Sequence, residues 1–300
     1  MKERLTHIDN AKAIGMMLIV ACHVIPSGAF GKSGIYETWC NILGSFHVPV
    51  FFLLSGIFAS SKTDNRKMFA RIVKLAKYVA IFYLFGLVVD LLLAEPLSLL
   101  HIRMRIGTVW FLFVLLWLEA IVGWIKRYKF SPYVFFALAI GGGIMTYYGR
   151  SFLFLGQALL CLPFYLTGYY AKDYLKASTF RWRICLGSFA VWLALFVLCY
   201  KPQNISVSIV GQNYLAFYAE AIAASICVLE LSKLIKTKWL AYYGRNTIVV
   251  MMVQMTIIWA LQKLVAVDSL LTYSAISIAA CLLCGLAIPI FRNKHYDIFK

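Results

Sequence analysis

Lys12-Ala13-Ile14-Gly15-Met16-Met17-Leu18-Ile19-Val20-Ala21-Cys22-His23 is the stretch on which the reading of this chain turns. Ten uncharged residues separate a cation from an imidazole. As a helix rising 1.5 Å per residue, the segment carries His23 about 16 Å beyond Lys12. That depth is close to the middle of a hydrocarbon core about 30 Å thick. A second histidine lies at similar depth in the next apolar segment, Ser45-Phe46-His47-Val48-Pro49-Val50-Phe51-Phe52. Ionisable groups at such depths are costly and face a bundle interior or a wet cavity, so two of them on consecutive segments point to chemistry inside a membrane.

The rest of the chain agrees. Of 300 residues, 62% are hydrophobic and only 14% charged, against about 25% charged in soluble domains. The apolar residues fall in runs of about 20 separated by short basic segments, the pattern of many transmembrane helices. The expected fold is all-α: a polytopic integral membrane protein of about ten spans. These fall at roughly 12–31, 39–60, 72–94, 107–125, 130–148, 152–170, 183–200, 214–232, 242–262 and 270–291. Connections are too short to hold a soluble domain, so residues 1–300 form a single membrane domain.

A net charge of +17 raises nucleic acid as a partner, but its distribution argues against one. Twenty-three of the 29 Lys and Arg residues cluster at alternate connections, including Lys62, Arg66, Lys67, Arg71, Lys74 and Lys77. The intervening loops hold Lys32, Arg103, Arg105, Arg150, Lys201 and Lys263. Under the positive-inside rule both termini are cytoplasmic, and the even span count agrees. The expected location is the cell (plasma or inner) membrane, with lipid as partner. The first apolar run is long and lacks a small-residue cleavage site, so it does not read as a cleavable signal.

The eight cysteines lie within or at the ends of apolar segments and make no metal-type pairing with histidine. They read as small hydrophobes, and no metal site is expected. Pro49 and Pro163 fall inside spans, where proline removes a backbone hydrogen bond and commonly kinks the helix. Gly141-Gly142-Gly143 suits close helix packing. No internal repeat marks the halves as an inverted-repeat transporter.

Span one rises from the cytoplasm and span two descends from outside, so two antiparallel neighbours can bring His23 and His47 into one cavity. Either histidine alone serves equally well as a structural hydrogen-bonder between helices. Asp90, Glu220, Arg103, Arg105, Tyr147, Tyr148 and Arg150 stand near the outer side, as a polar entrance or as an interfacial belt. Glu119 is expected to pair with a neighbouring cation.

Ile8-Asp9-Asn10-Ala11-Lys12-Ala13-Ile14-Gly15, continuing to His23, resembles the opening of the membrane acyltransferase family 3 proteins. Phe46-His47-Val48-Pro49-Val50-Phe51-Phe52-Leu53-Leu54-Ser55-Gly56 is similar to that family's second-helix signature. Weaker echoes are Thr108-Val109-Trp110-Phe111-Leu112, Leu162-Pro163-Phe164-Tyr165-Leu166-Thr167-Gly168 and Tyr243-Gly244-Arg245-Asn246-Thr247. Gln254 departs from the pattern, standing where family members often carry a histidine; an amide can orient a ligand but cannot exchange protons near neutral pH.

The resemblance implies an O-acyltransferase that moves an acyl group, commonly acetyl, from cytoplasmic acyl-CoA to a hydroxyl of a surface or lipid-linked glycan. A sugar hydroxyl is a poor nucleophile, and a histidine titrating near 6.5 is the usual base. His23 is then the base or acyl acceptor, with His47 orienting or relaying the proton. Lys12, Arg66, Lys67 and Arg71 are candidates for the phosphates of acetyl-CoA, although the run after residue 65 equally suits a topology signal that attracts anionic lipid. Asp9, Trp110, Glu220 and Arg150 are candidates for the acceptor site. A transporter or flippase for a lipid-linked sugar or small solute, with histidine as proton carrier, is the alternative.

Overall fold

The computed structural model describes residues 5–24, 34–59, 65–93, 107–128, 132–148, 152–199, 203–205, 209–210, 213–292 and 297–299. These are helical almost throughout. The helices are α1 (Thr6–Val24), α2 (Gly34–Gly44), α3 (His47–Ile57), α4 (Asn65–Leu92), α5 (Val109–Tyr128), α6 (Pro132–Tyr147) and α7 (Leu155–Tyr170). They continue with α8 (Lys172–Leu175), α9 (Trp182–Cys199), α10 (Tyr214–Ser232), α11 (Lys238–Arg245), α12 (Thr247–Leu264) and α13 (Leu270–Phe291). Gln203–Asn204 pairs antiparallel with Ile209–Val210 between α9 and α10.

Among the described residues, six helices are long and apolar enough to cross a membrane. They are 66–92 in α4, 152–170 including α7, and α9, α10, α12 and α13. Asn41–Ile57 and Val109–Trp124 are shorter apolar helical stretches. The expectation of about ten continuous spans therefore needs revision at particular places. The stretch expected at 39–60 is divided into α2 and α3 by a turn at Ser45-Phe46. Pro49 consequently sits in the first turn of α3, where its missing N–H removes no helical bond. The stretch expected at 242–262 is likewise divided at Asn246, between α11 and α12. The first helix starts at Thr6, earlier than position 12, and residues 25–31 of that span lie outside the described residues. Hydropathy registers composition, and these breaks are decided by backbone hydrogen bonding.

Helix α1 is the hub. It packs against α3, α10, α11, α12 and α13, and residues around its whole circumference are buried, from Ile8, Ala11 and Ala13 to Met16, Val20 and Val24. A helix apolar on all sides belongs inside a bundle. Outer helices show the reverse: α4 exposes Phe69, Val73, Leu84 and Val88, and α9 exposes Leu186, Val191 and Val197. With no water-facing reason for such side chains, these faces fit lipid.

Two crossings bring the family-like segments together. Gly56 of α3 and Gly168 of α7 face each other so closely that a methyl on either would strike the other helix's backbone, at the Tyr165 and Leu53 carbonyls respectively. Gly244 of α11 lies equally close to the Asp9 carbonyl of α1. Pro163 opens the hydrogen-bond ladder of α7, and Tyr218 of α10 donates to the Leu160 carbonyl one turn earlier, at 2.9 Å.

Candidate active site

Two contacts set α1 and α3 antiparallel and in register. At one end the Lys12 ammonium lies 4.8 Å from the centre of the Phe58 ring. In the middle Gly15 abuts Val50 and Phe51. At the other end the imidazoles of His23 and His47 are near enough to act on each other electrostatically. Eleven positions separate Lys12 from His23, and eleven separate His47 from Phe58. Equal spacing on two antiparallel helices carries both histidines to the same end, about 16 Å from the cation.

Each histidine is held by a built environment. His47 opens α3, directly after the turn that breaks the span. Its Nδ1–H donates to the Leu43 carbonyl of α2. A carbonyl can only accept, so Nδ1 carries the proton and Nε2 keeps its lone pair. The turn is pinned by Ser45, whose hydroxyl donates to the Ile42 carbonyl and accepts from Trp192 Nε1 of α9 at 3.1 Å. His23 stands in the last turn of α1, half-buried. The end of that helix is fixed by Gln262 of α12, which donates to the Val24 carbonyl at 2.8 Å, and by Tyr273 of α13, which donates to the Ala21 carbonyl at 3.1 Å.

The third member is Gln254 of α12, whose side chain adjoins the His23 ring. Beyond that contact neither its nitrogen nor its oxygen has a hydrogen-bond partner among the described residues, and the residue is 0% exposed. The Nδ1 of His23 is likewise buried without a partner among them. Helix α12 is anchored one turn earlier by Thr108, whose hydroxyl donates to the Met251 carbonyl at 2.8 Å. Sequence reasoning noticed Gln254 only as a departure from the family pattern. The Leu43 carbonyl, being backbone, leaves no trace in residue type.

At the other end of the α1–α3 pair, Arg71 of α4 joins Lys12 around Phe58. Its guanidinium donates to the Phe58 carbonyl and pairs with Glu119 of α5 at 3.2 Å. Glu119 also accepts from Tyr165 of α7 at 2.7 Å. The cation expected opposite Glu119 is therefore Arg71. Arg66 and Lys67 are exposed in the first turn of α4.

Asp9 is buried and pairs with Arg245 at 3.7 Å, beside the Gly244 crossing. Its neighbour Asn10 donates to the carbonyls of Ser232 and Ile235, closing the end of α10. Asp9 thus lies at the opposite end of α1 from His23. Trp110 is half-buried on α5 against Phe52 and Phe111, with ring centres 6.4 and 6.3 Å away. Glu220 is buried within α10. Arg150 lies outside the described residues, as do Arg103 and Arg105.

The geometry offers acyl-transfer chemistry its elements: two neighbouring imidazoles, one with a fixed tautomer, an uncommitted amide donor beside them, and cations at the far end of the same helix pair. No curated protein and no solved structure gives a significant match to the chain. Residues 5–288 match the family model of the acyltransferase domain of the acyltransferase 3 type. With nearly its whole length inside that match, this multi-pass membrane protein belongs to the acyltransferase 3 family.

Proposed function

We propose that the protein is a membrane O-acyltransferase that moves an acyl group, acetyl in the first instance, from cytoplasmic acyl-CoA to a hydroxyl of a surface or lipid-linked glycan. The observation that carries this reading is the matched Lys12–His23 and His47–Phe58 spacing on two antiparallel helices, which brings both histidines to one end of the pair, with the His47 tautomer set by Leu43. His23 takes the proton of the attacking hydroxyl, or accepts the acyl group itself. His47 orients or relays that proton through Nε2, which its bond to Leu43 leaves as an acceptor. Proton transfer by a positioned side chain contributes about 10²–10⁴ in rate.

In this reading the chain crosses the plasma or inner membrane about ten times, the shorter helices completing crossings with neighbouring segments, and both termini are cytoplasmic. Lys12 and Arg71 then flank the cytoplasmic mouth, and Arg66 and Lys67 stand at the start of α4, where a helix N-terminus favours phosphate. Trp110, Glu220 and Arg150 serve the acceptor, whereas Asp9, paired with Arg245 beside the α11 crossing at the far end of α1, holds α11 in place instead.

The test is incubation of the purified protein with radiolabelled acetyl-CoA and a panel of glycan and lipid-linked sugar acceptors. Label should move to an acceptor hydroxyl with the wild type and not with His23→Ala at equal expression. Retained transfer in His23→Ala removes the assignment. Slow hydrolysis without acceptor would favour the acyl-histidine route over a ternary complex.

A further inference from the structure

An amide buried with neither polar atom bonded is a standing liability, because both atoms have left water without replacement. Apart from its approach to the His23 ring, Gln254 is such a group, and the apolar residues around it on α12 (Val250, Met251, Val253 and Ile258) are buried in the ordinary way. Its helix is fixed from two sides, by Thr108 at Met251 and by the Gln262 bond to Val24, so the amide cannot relax far. It adjoins the His23 ring. Its NH₂ therefore stands ready as a donor beside the group that handles the proton.

We infer that Gln254 is a catalytic residue whose side-chain N–H binds the carbonyl oxygen of the acyl thioester and holds it as it becomes an oxyanion. The inference rests on the acyltransferase reading and deepens it. In the step, the acceptor hydroxyl oxygen forms a bond to the carbonyl carbon and its proton passes to His23. The carbonyl π pair moves onto oxygen, where the Gln254 donor stabilises it. Collapse of the tetrahedral species breaks the carbon–sulfur bond, and the departing thiolate takes the proton back from His23. Gln254 loses and gains no atom. A glutamine suits this task because it remains a neutral donor at every working pH.

The probe is acetyl-carba(dethia)-CoA, in which a methylene replaces sulfur so that the carbonyl stays in place and cannot leave. Isotope-edited infrared spectra of the 13C-carbonyl form bound to the detergent-solubilised protein should show the carbonyl band at lower frequency than in water-free solvent. The displacement should vanish in Gln254→Met and persist in His23→Ala, which loses turnover for a different reason. In the transfer assay Gln254→Met should lower kcat by about 10²–10³ with KM little changed, the loss typical of one oxyanion donor. Its thermal unfolding should stay level or rise, because methionine fills the same space without unmet polar atoms.

An undisplaced band in the wild type, an unchanged band in Gln254→Met, or a KM effect with kcat preserved would overturn the inference while leaving the acyltransferase reading in place. A destabilised Gln254→Met with normal turnover would assign the amide to packing. Failure of the wild type to bind the analogue at all would remove the acyltransferase reading itself.

Discussion

The two ends of α1 treat polar side chains differently. At the Thr6 end Asp9 pairs with Arg245 and Asn10 donates to two carbonyls of the α10 end, which leaves single atoms, Asn10 Oδ1 and His7 Nε2, buried without a partner among the described residues. Just beyond, Glu230 is buried between Arg181 at 2.9 Å and Lys233 at 2.6 Å. Arg181 also stacks over Tyr174, 3.5 Å from its ring centre. At the Val24 end, Gln254 makes no hydrogen bond among the described residues beyond its contact with His23, and His23 presents a buried nitrogen with none. Polar groups committed to the protein hold it together; polar groups left uncommitted inside it are available to a ligand. One end of the central helix is clamp, and the other is site.

The sharpest way to break this division is to exchange the expected phenotypes. His23→Ala should abolish acyl transfer, a fall of more than about 10³ in turnover, while thermal unfolding in detergent stays close to wild type. Glu230→Ala should do the opposite. It strands the part-buried Arg181 and Lys233 charges, and breaking a buried pair from one side costs up to about 3–5 kcal/mol. A Glu230→Ala protein of normal stability, or a His23→Ala protein that does not fold, would erase the distinction. Gly168→Ala belongs with Glu230→Ala, because the added methyl would meet the Leu53 carbonyl backbone rather than a yielding side chain. Overpacking in a tight core costs about 1–3 kcal/mol where side chains can give, and a backbone contact should reach at least the upper end, read as a lowered Tm.

Little of the clamp was legible in the sequence, where Asp9 read as an acceptor contact and Glu230 carried no signal; the axial placement of His23 was legible. The Lys12-to-His23 spacing contains the geometry, since a straight helix admits one axial distance for eleven steps. The motifs holding Gly56, Gly168 and Gly244 were legible, but that these glycines mark places where two backbones touch comes from the structure. Gly244-Arg245-Asn246, a weak echo read alone, turns out to pack on Ile8-Asp9-Asn10, the strong one. The break at Ser45-Phe46 was not legible, because the segment from Asn41 to Ile57 is apolar on average and no composition window registers a turn inside it. Pro49 hinted at an irregularity but pointed to a kink within a helix instead of a helix start. That break is what lets the Leu43 carbonyl meet His47, so the tautomer was invisible for the same reason. Gln254 was visible only as an oddity; its meaning depends on α12 reaching α1 across more than 200 positions of chain.

Smaller effects test the cations between the two ends. Lys12→Glu replaces an attraction for the phosphates of CoA with a repulsion and should weaken acyl-CoA binding by about tenfold, equivalent to about 1.4 kcal/mol. Titration calorimetry with CoA reads this directly, and an unchanged affinity would move the phosphate site elsewhere. Arg71→Met should lower stability by less than about 1 kcal/mol, because the Arg71 side chain is 37% exposed and surface-accessible pairs contribute little. A larger loss would mean that Arg71 works through Phe58 to hold the end of α3, and so belongs to the clamp.

The smallest effect comes from the clamp's own histidine. Burial disfavours the charged form of His7 and lowers its pKa below the ordinary 6.5, with the Lys233 charge acting in the same direction; the Leu175 backbone, Glu230 and Asp9 oppose this without cancelling it. The sign follows from linkage. In the unfolded chain His7 takes up its proton as pH falls through about 6.5, whereas in the folded protein it resists. The unfolded state then binds more protons, and stability falls as pH drops below that value. Above it both states are neutral at His7 and the group contributes no slope. Thermal unfolding of the wild type between pH 7.5 and pH 5.5 should therefore show a modest downward trend, shallower in His7→Gln, whose amide does not titrate. Since His7 touches the clamp and not the site, acyl-CoA affinity measured over the same range should be identical in the two proteins. An affinity that followed His7 would couple the ends of α1 and break the division.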